Sequence, residues 1–584
     1  MGVRLLKRYI PKGMIEKQYS WEWVNYKLYY RLSQVNSVRE QDLSILHLLQ
    51  VQEKQLPMLR SLASATAINV TPVPDEIKFY TTELETAEEL YNREYQLLQE
   101  YYSYQIYFLR TLTYGHMPLQ GLIESQIEQV NTLLSVIKVY KAKEEAKKQA
   151  LLQPAVPFDA ELEKGYRLER VAANLTYPTC ITFDNKGTVY VIEAGYAYDE
   201  PKKGRLLKLD ENTVIEIINN LEGPVTGVIW KDGFLYVAES NIKGEGNQGG
   251  CILKIGEDGT REVIVSGLAT YGDHFTGDVI FGPDNRLYFS VGTATNSGVV
   301  GPDNGSWLSL HPKFHDKPAR AYELDSQNFI SKDAKITGAF HPFGEQTTED
   351  KEQVPSTLFA TGVVYSCNPD GSHLRIIADG FRNTFGMAFS PFDGKLYATD
   401  NGADSRGTRP VENDWDHFWL VEENGWYGWP DFFSGLPAIL PHFTKKGNPT
   451  PLFLLKQHPK LAMQPIIRFA ANTSSNKFDF STNKSFGHVG EIFVAQTGAI
   501  SYKPGTEAPG FRVVRADLQT GQIRDFLVNT KAEENPHGPI RPVQAKFNPA
   551  GDTLYIVDFG ILGNYAAGTK PKPNTGSIWK VVKE

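Results

Sequence analysis

Cysteine is scarce in this chain of 584 residues: Cys180, Cys251 and Cys367 are all there are, far apart and each in or beside an apolar stretch. An odd count at such spacing excludes a disulfide framework, and the lack of any CxxC pair excludes ordinary zinc ligation. The three read as small buried hydrophobes and fit a reducing compartment. No run of eighteen apolar residues occurs, so no transmembrane helix is expected. The first residues, Met1 to Tyr19, carry early positive charge but no apolar h-region. No classical signal peptide is expected, which points to the cytoplasm or to a cell or spore surface reached by a non-classical route. Basic excess is missing as well: 60 Lys and Arg against 68 Asp and Glu leave a formal charge of −8. With no basic stretch interleaved with aromatics, a nucleic-acid partner is disfavoured.

Glycine is almost absent from Ile15 to Gln153, a stretch rich in Gln, Glu, Leu and Tyr. Ile123, Ile127, Val130, Leu134 and Ile137 recur at intervals of four and three, the seam of an amphipathic helix. Ser37 followed by Glu40 forms a capping box, and Pro57 is expected to kink the helix that follows. A single core rarely serves so long a chain. The expected organisation is a helical bundle over 1–153, a linker over 154–165 that takes in most of LQPAVPFD, and a β-domain over 166–584. Tyrosine is dense around Tyr91, Tyr95, Tyr101, Tyr102, Tyr104 and Tyr107, on more than one helical face. That suits a bundle core and rim, or an oligomerisation or docking surface, since Tyr gives large contact area at low entropic cost.

From Cys180 to Gly560 one pattern recurs: an apolar run, a turn on Gly, Asp or Asn, and a strand bearing Tyr or Phe. The copies are ITFDNKGTVYVIEAG, GVIWKDGFLYVAES, DVIFGPDNRLYFSVG, GMAFSPFDGKLYATDNG, the degenerate HVGEIFVAQTG, and QAKFNPAGDTLYIVDFG. Each is two alternating strands joined by a tight turn, and third strands such as GRLLKLD and FRVVRADLQTG follow. Repetition of a four-stranded unit at this interval predicts a six-bladed β-propeller marked by Tyr190, Tyr236, Tyr288, Tyr397, Phe493 and Tyr555. The fold class is therefore multidomain α + β, with a helical bundle preceding the propeller. Ring closure is expected to set YRLERVAANL beside the C-terminal GSIWKVV, leaving no edge unpaired.

Propellers carry function on the loops at one end of the central channel. His274, Arg382 and Arg541 each precede the apolar run of a repeat, so the symmetry aims all three at one mouth. A histidine with two guanidinium groups suits an anionic ligand and a general base near neutral pH. An isolated histidine would more often be structural.

The combination GDH…FGPDNRLY, GFRNTFGMAF, LYATDNG, WYGWP and IRPV resembles the soluble glucose and sorbosone dehydrogenase family over roughly Leu168 to Val582. The resemblance implies a six-bladed propeller that uses pyrroloquinoline quinone and calcium to oxidise a sugar or aldehyde. It implies that His274 is the general base as hydride passes to the quinone. Arg382, Asn383 and Arg541 are implied as cofactor contacts, and Tyr427 and Trp429 as walls beside substrate and cofactor. The metal ligands are left unassigned, and Lys503 is a candidate for the family's cofactor-binding lysine. The chain departs from the family at Thr384-Phe385, at Asn413, Asp414, Trp415 and Asp416, and at Pro539, where a second arginine is expected. Two readings follow: a quinone-dependent aldose dehydrogenase, or a non-catalytic propeller in an assembly driven by self-association of the helices. A calcium-dependent lactonase with Glu193, Asn383 and Asp400 is a third.

Overall fold

The repeated turn shows why these residues form hairpins. In DNKG the Asp184 carboxylate accepts the backbone N–H groups of Lys186 and Thr188, both at 2.8 Å, and Gly187 supplies φ of +85°. Two repeats add a tether from the strand to its turn: the hydroxyl of Tyr288 donates to Asp284 at 2.8 Å, and that of Tyr397 to Asp393 at 2.9 Å. The aspartate and tyrosine four residues apart in PDNRLY and FDGKLY thus act together.

The computed structural model describes residues 160–196, 202–210, 213–244, 249–347, 352–502, 508–529, 538–564, 566 and 568–584. The helices expected over 1–153 and the candidate Lys503 lie outside the described residues. Among those described the fold is mostly β in a propeller-like arrangement, with one short α-helix, Gly305–Leu310. Four blades are separate four-stranded antiparallel sheets. Their inner and second strands are Pro178–Phe183 with Val189–Glu193, Val225–Lys231 with Phe234–Glu239, Thr276–Phe281 with Leu287–Val291, and Thr384–Phe389 with Leu396–Asp400.

A nine-stranded sheet holds the other repeats. It consists of two antiparallel ladders meeting at one parallel bridge, Lys477 with Gln544. Tyr166–Leu175 pairs antiparallel with Gly576–Lys583, from Tyr166 opposite Lys583 to Leu175 opposite Gly576, as the closure expectation requires. Ala160–Leu162, expected within the linker, instead forms a strand on Ile523–Asn529 and covers that outer edge.

Apolar residues collect between successive ladders. Tyr236 meets Phe281, Tyr288 meets Phe389, Tyr397 meets Phe480 and Phe493 meets Phe547, with ring centroids 5.0, 5.0, 5.7 and 5.5 Å apart. Tyr555 then packs on Phe183 at 5.0 Å, returning to the first sheet. The repeat aromatic is thus the wedge between one ladder and the inner strand of the next, where edge-to-face packing adds to area burial. Cys180, Cys251 and Cys367 are free and buried in these layers, and desolvation pushes the thiols of Cys180 and Cys367 up to about 12.

Three long segments interrupt the repeats: 292–362, 401–415 and 422–466. The first leaves Val291 beside His274, the second leaves Asp400, which caps the Arg382 loop, and the third contributes Trp429, whose Nε1–H reaches the Asn296 carbonyl.

Candidate functional site

An acid at the end of the second strand caps the loop entering the inner strand in four repeats. Glu193 accepts the N–H of Thr176 at 2.7 Å, and Glu239 that of Glu222 at 2.8 Å. Asp400 accepts Asn383 N–H at 2.6 Å, and Asp558 accepts Arg541 N–H at 2.8 Å. These partly or fully buried N–H groups need acceptors, so the acids have a structural task. Glu193 also pairs with Arg205 at 2.6 Å, so two members of the lactonase set, Glu193 and Asp400, are engaged as caps.

The Thr276–Phe281 sheet departs from this rule, because its second strand ends in Val291 followed by Gly292. His274 occupies the space: a Cβ on Gly292 would stand 2.4 Å from the His274 Cβ, so only glycine permits the approach. The Nδ1 of His274 lies 2.9 Å from the Thr293 carbonyl and 3.0 Å from its Oγ1. A carbonyl only accepts, so Nδ1 carries the proton and Nε2 is the bare nitrogen. His274 is 7% exposed. Burial, and then the charges of Arg382 and Arg406, hold its pKa well below the usual histidine value. The ring is therefore a neutral base.

Arg382 lies beside it. Its Nη2 donates to Asn296 Oδ1 at 2.8 Å and to Asp404 at 2.9 Å, its Nη1 to the Asn401 carbonyl at 3.2 Å, and its Nε to the Asn296 carbonyl at 3.3 Å. The Asn383 side chain donates to Asn401 Oδ1 at 3.1 Å. Arg406 reaches three carboxylates on three segments: Asp273 and Asp303 at 2.7 Å and Asp404 at 3.2 Å. Burial raises the pKa of Asp404, but Arg382 and Arg406 outweigh it and hold the carboxyl below its ordinary value. The Asp404 side chain keeps 44% of its surface exposed, so water screens the pair.

Behind the loop, buried Asp316 accepts Ala294 N–H at 2.6 Å and Thr361 Oγ1–H at 2.9 Å. Desolvation pushes its carboxyl up to about 6. This carboxylate shapes the Thr293 turn that orients His274.

The residues singled out from sequence divide into groups. His274, Arg382 and Asn383 form the cluster, and Trp429 joins it through Nε1–H to the Asn296 carbonyl at 3.3 Å. Tyr427 is in the core, stacked on Phe381 at 3.9 Å, with its hydroxyl donating to the Leu420 carbonyl at 2.6 Å. Arg541 is fully buried, and its guanidinium donates to the carbonyls of Thr497, Gly498, Ala499 and Gly563 at 3.1–3.2 Å. Such charge-assisted bonds are worth about 1.5–3 kcal/mol each, which makes Arg541 a clamp between two loops.

The departures also have structural places. Thr384 Oγ1 approaches Asp400 at 3.4 Å, Asp414 receives Ala403 N–H at 2.6 Å, Asp416 receives Ser475 N–H at 2.7 Å, and the Pro539 carbonyl accepts Asn529 Nδ2–H at 3.0 Å. Asn296, Asp273, Asp303, Asp404 and Arg406 were not singled out from sequence. The acid-rich loop after LYATDNG is the signal for Asp404 and Arg406, whereas Asp273, Asn296 and Asp303 lie elsewhere in the sequence and converge with them only when the insertions fold back.

These features define a propeller-like β-domain in which a buried histidine lies among compensated arginines, amides and an indole. No family model matches the chain. Over 170 residues it is 25% identical to quinoprotein glucose dehydrogenase B of Acinetobacter calcoaceticus, a stretch covering 29% of this chain and 28% of that relative. The relative is thus matched over less than a third of its length. Similar solved structures include the holo pyranose dehydrogenase PQQ domain from Coprinopsis cinerea, 15% identical with a TM-score of 0.45, covering 74% of this chain and 98% of that one. The AA12 enzyme of Trichoderma reesei is 16% identical with a TM-score of 0.47, covering 74% of this chain and all of the other.

Pyrroloquinoline quinone is a tricarboxylate, and the described guanidinium groups do not fit it as they stand. Arg382 and Arg406 already bind the chain's own carboxylates, and Arg541 is saturated by carbonyls. Among the described residues, no group of three or more His, Cys, Asp or Glu is disposed to hold a metal ion such as calcium.

Proposed function

We propose that the chain carries a six-bladed propeller, the nine-stranded sheet counting as two blades, and that it acts as a sugar-dehydrogenase-like oxidoreductase. The observation that carries the reading is the neutral, tautomer-fixed His274. In this proposal a sugar hydroxyl donates to Nε2 and yields its proton there, the hydride on the same carbon leaves to an external two-electron acceptor, the role the dye takes in the test, and Asn383, Asn296 and Trp429 border the ring of the sugar. Arg382 positions Asn296 and Asp404 beside the base. The matched guanidiniums oppose the quinone implied by the family resemblance, no acid cluster for calcium is found among the described residues, and no step is assigned to either. The likeness to a quinoprotein glucose dehydrogenase supports the substrate class.

The test is an aldose panel titrated calorimetrically into the full chain and into His274→Ala, with reduction of a dye acceptor followed in parallel with quinone and calcium added. Aldose binding and dye reduction that both disappear in the variant support the proposal. Absence of any aldose binding contradicts it. The saturated state of Arg541 favours a second reading, a non-catalytic propeller whose segment 1–153 drives self-association. Under that reading, removing residues 1–157 lowers the mass measured by light scattering to that of a monomer, and an unchanged association state refutes it.

A further inference from the structure

Among the described residues, Asp404 is the one carboxylate that bonds both Arg382, at 2.9 Å, and Arg406, at 3.2 Å. Its loop is pinned there. Asp404 N–H donates to Asn296 Oδ1 and the Asp404 carbonyl accepts Asn296 Nδ2–H, both at 2.8 Å, while Ala403 N–H donates to Asp414 at 2.6 Å. The carboxylate is therefore presented to the guanidiniums by the backbone. Arg406 is held independently by Asp273 and Asp303, so two cations face three acids in the mouth.

We propose that Asp404 is a specificity-determining residue: an internal carboxylate that takes the position a ligand carboxylate would occupy on Arg382, so that the mouth accepts neutral polyols and rejects polycarboxylates. The inference rests on the assignment of this mouth as the ligand site. A tricarboxylate entering the mouth meets Asp404 and must displace it, losing a charge-assisted bond and placing like charges together. A sugar needs no displacement, since its hydroxyls donate to Asp404 or His274 Nε2 and accept from Asn383 and Arg382. Neutralising Asp404 frees one guanidinium edge and leaves Arg382 held only by the neutral groups of Asn296 and Asn401, while Arg406 keeps Asp273 and Asp303.

The experiment is isothermal titration of citrate, a redox-silent tricarboxylate, and of pyrroloquinoline quinone into the full chain, into Asp404→Asn, and into Asp404→Asn combined with Arg382→Gln. Glucose is titrated into the same proteins. The expected result is tricarboxylate binding at least about tenfold tighter in Asp404→Asn than in the unaltered chain, the worth of one charge-assisted hydrogen bond. That gain disappears when Arg382 is also replaced. Equal affinity in the unaltered chain and Asp404→Asn, including no binding by either, overturns the inference, as does a gain that survives Arg382→Gln. Should Asp404→Asn fail to fold, Asp404→Ser carries the same test. Glucose separates the two proposals: its failure to bind counts against the sugar site, while a tricarboxylate gain at Arg382 still supports the role of Asp404.

Discussion

The Nδ1 of His274 lies 2.9 Å from the carbonyl of Thr293, a contact that fixes which ring nitrogen carries the proton. Replacing Thr293 with Val removes Oγ1 while leaving the carbonyl. The expected cost is small, about 0.5–1.5 kcal/mol by denaturant unfolding, with the tautomer unchanged in nitrogen-detected NMR. A switch of tautomer in Thr293→Val would show that the hydroxyl holds the ring.

Asp400 and Asp558 cap equivalent loops, and replacing either with Ala leaves buried N–H groups without an acceptor. Each is predicted to lose about 1–3 kcal/mol of stability, with Asn milder than Ala because it still accepts. At Asp400 the loss extends to ligand affinity, because the N–H groups of Arg382 and Asn383 bond to its carboxylate, Asn383 at 2.6 Å. Equal effects of the two substitutions on ligand affinity would contradict this.

Lys477 and Asp278 form a buried ion pair at 2.6 Å between inner strands, with Lys477 Nζ also donating to the carbonyls of Phe385 and Gly277 at 3.1 and 3.2 Å. Lys477→Met strands the Asp278 charge and is predicted to cost about 3–5 kcal/mol, whereas Lys477→Met with Asp278→Leu recovers much of it. Thermal and denaturant unfolding of the single and double variants decide the point.

Two buried histidines respond to pH with opposite sign. His274 has a lowered pKa through desolvation and then the arginine charges, so the unfolded chain binds its proton first and stability falls as pH drops below about 6.5. His417 is penalised by desolvation, but Asp414, Asp400 and Asp416 outweigh this and raise it. Its contribution is fully present below about 6.5 and is lost as pH rises through the folded pKa. Denaturation should therefore show His274→Gln flattening the acid-side decline and His417→Gln costing more stability at pH 5.5 than at 8.5. The same pH dependence in both variants would refute the assignment.

Much of the β-domain was legible because its signals are local. DNKG, PDNRLY and FDGKLY specify their turns through an aspartate within four residues, and Tyr236, Tyr288 and Tyr397 recur because each wedges against the next sheet. His274 and Arg382 were legible from their place before an inner strand. Arg541 has the same sequence position, yet nearby carbonyls surround its guanidinium, and no sequence spacing reveals that. Asp404 and Arg406 were hidden for the converse reason: their partners Asn296, Asp273 and Asp303 lie over a hundred positions away and meet them only when the insertions fold back together.

The most direct test of the account is nitrogen-detected NMR of the His274 ring across pH 5 to 8, with and without an aldose. The expected result is a ring protonated at Nδ1 alone at neutral pH, with its titration displaced below the usual histidine value, whose bare Nε2 shifts on sugar addition. A ring that titrates at or above about 6.5, the unperturbed histidine value, or that carries its proton on Nε2, would contradict it.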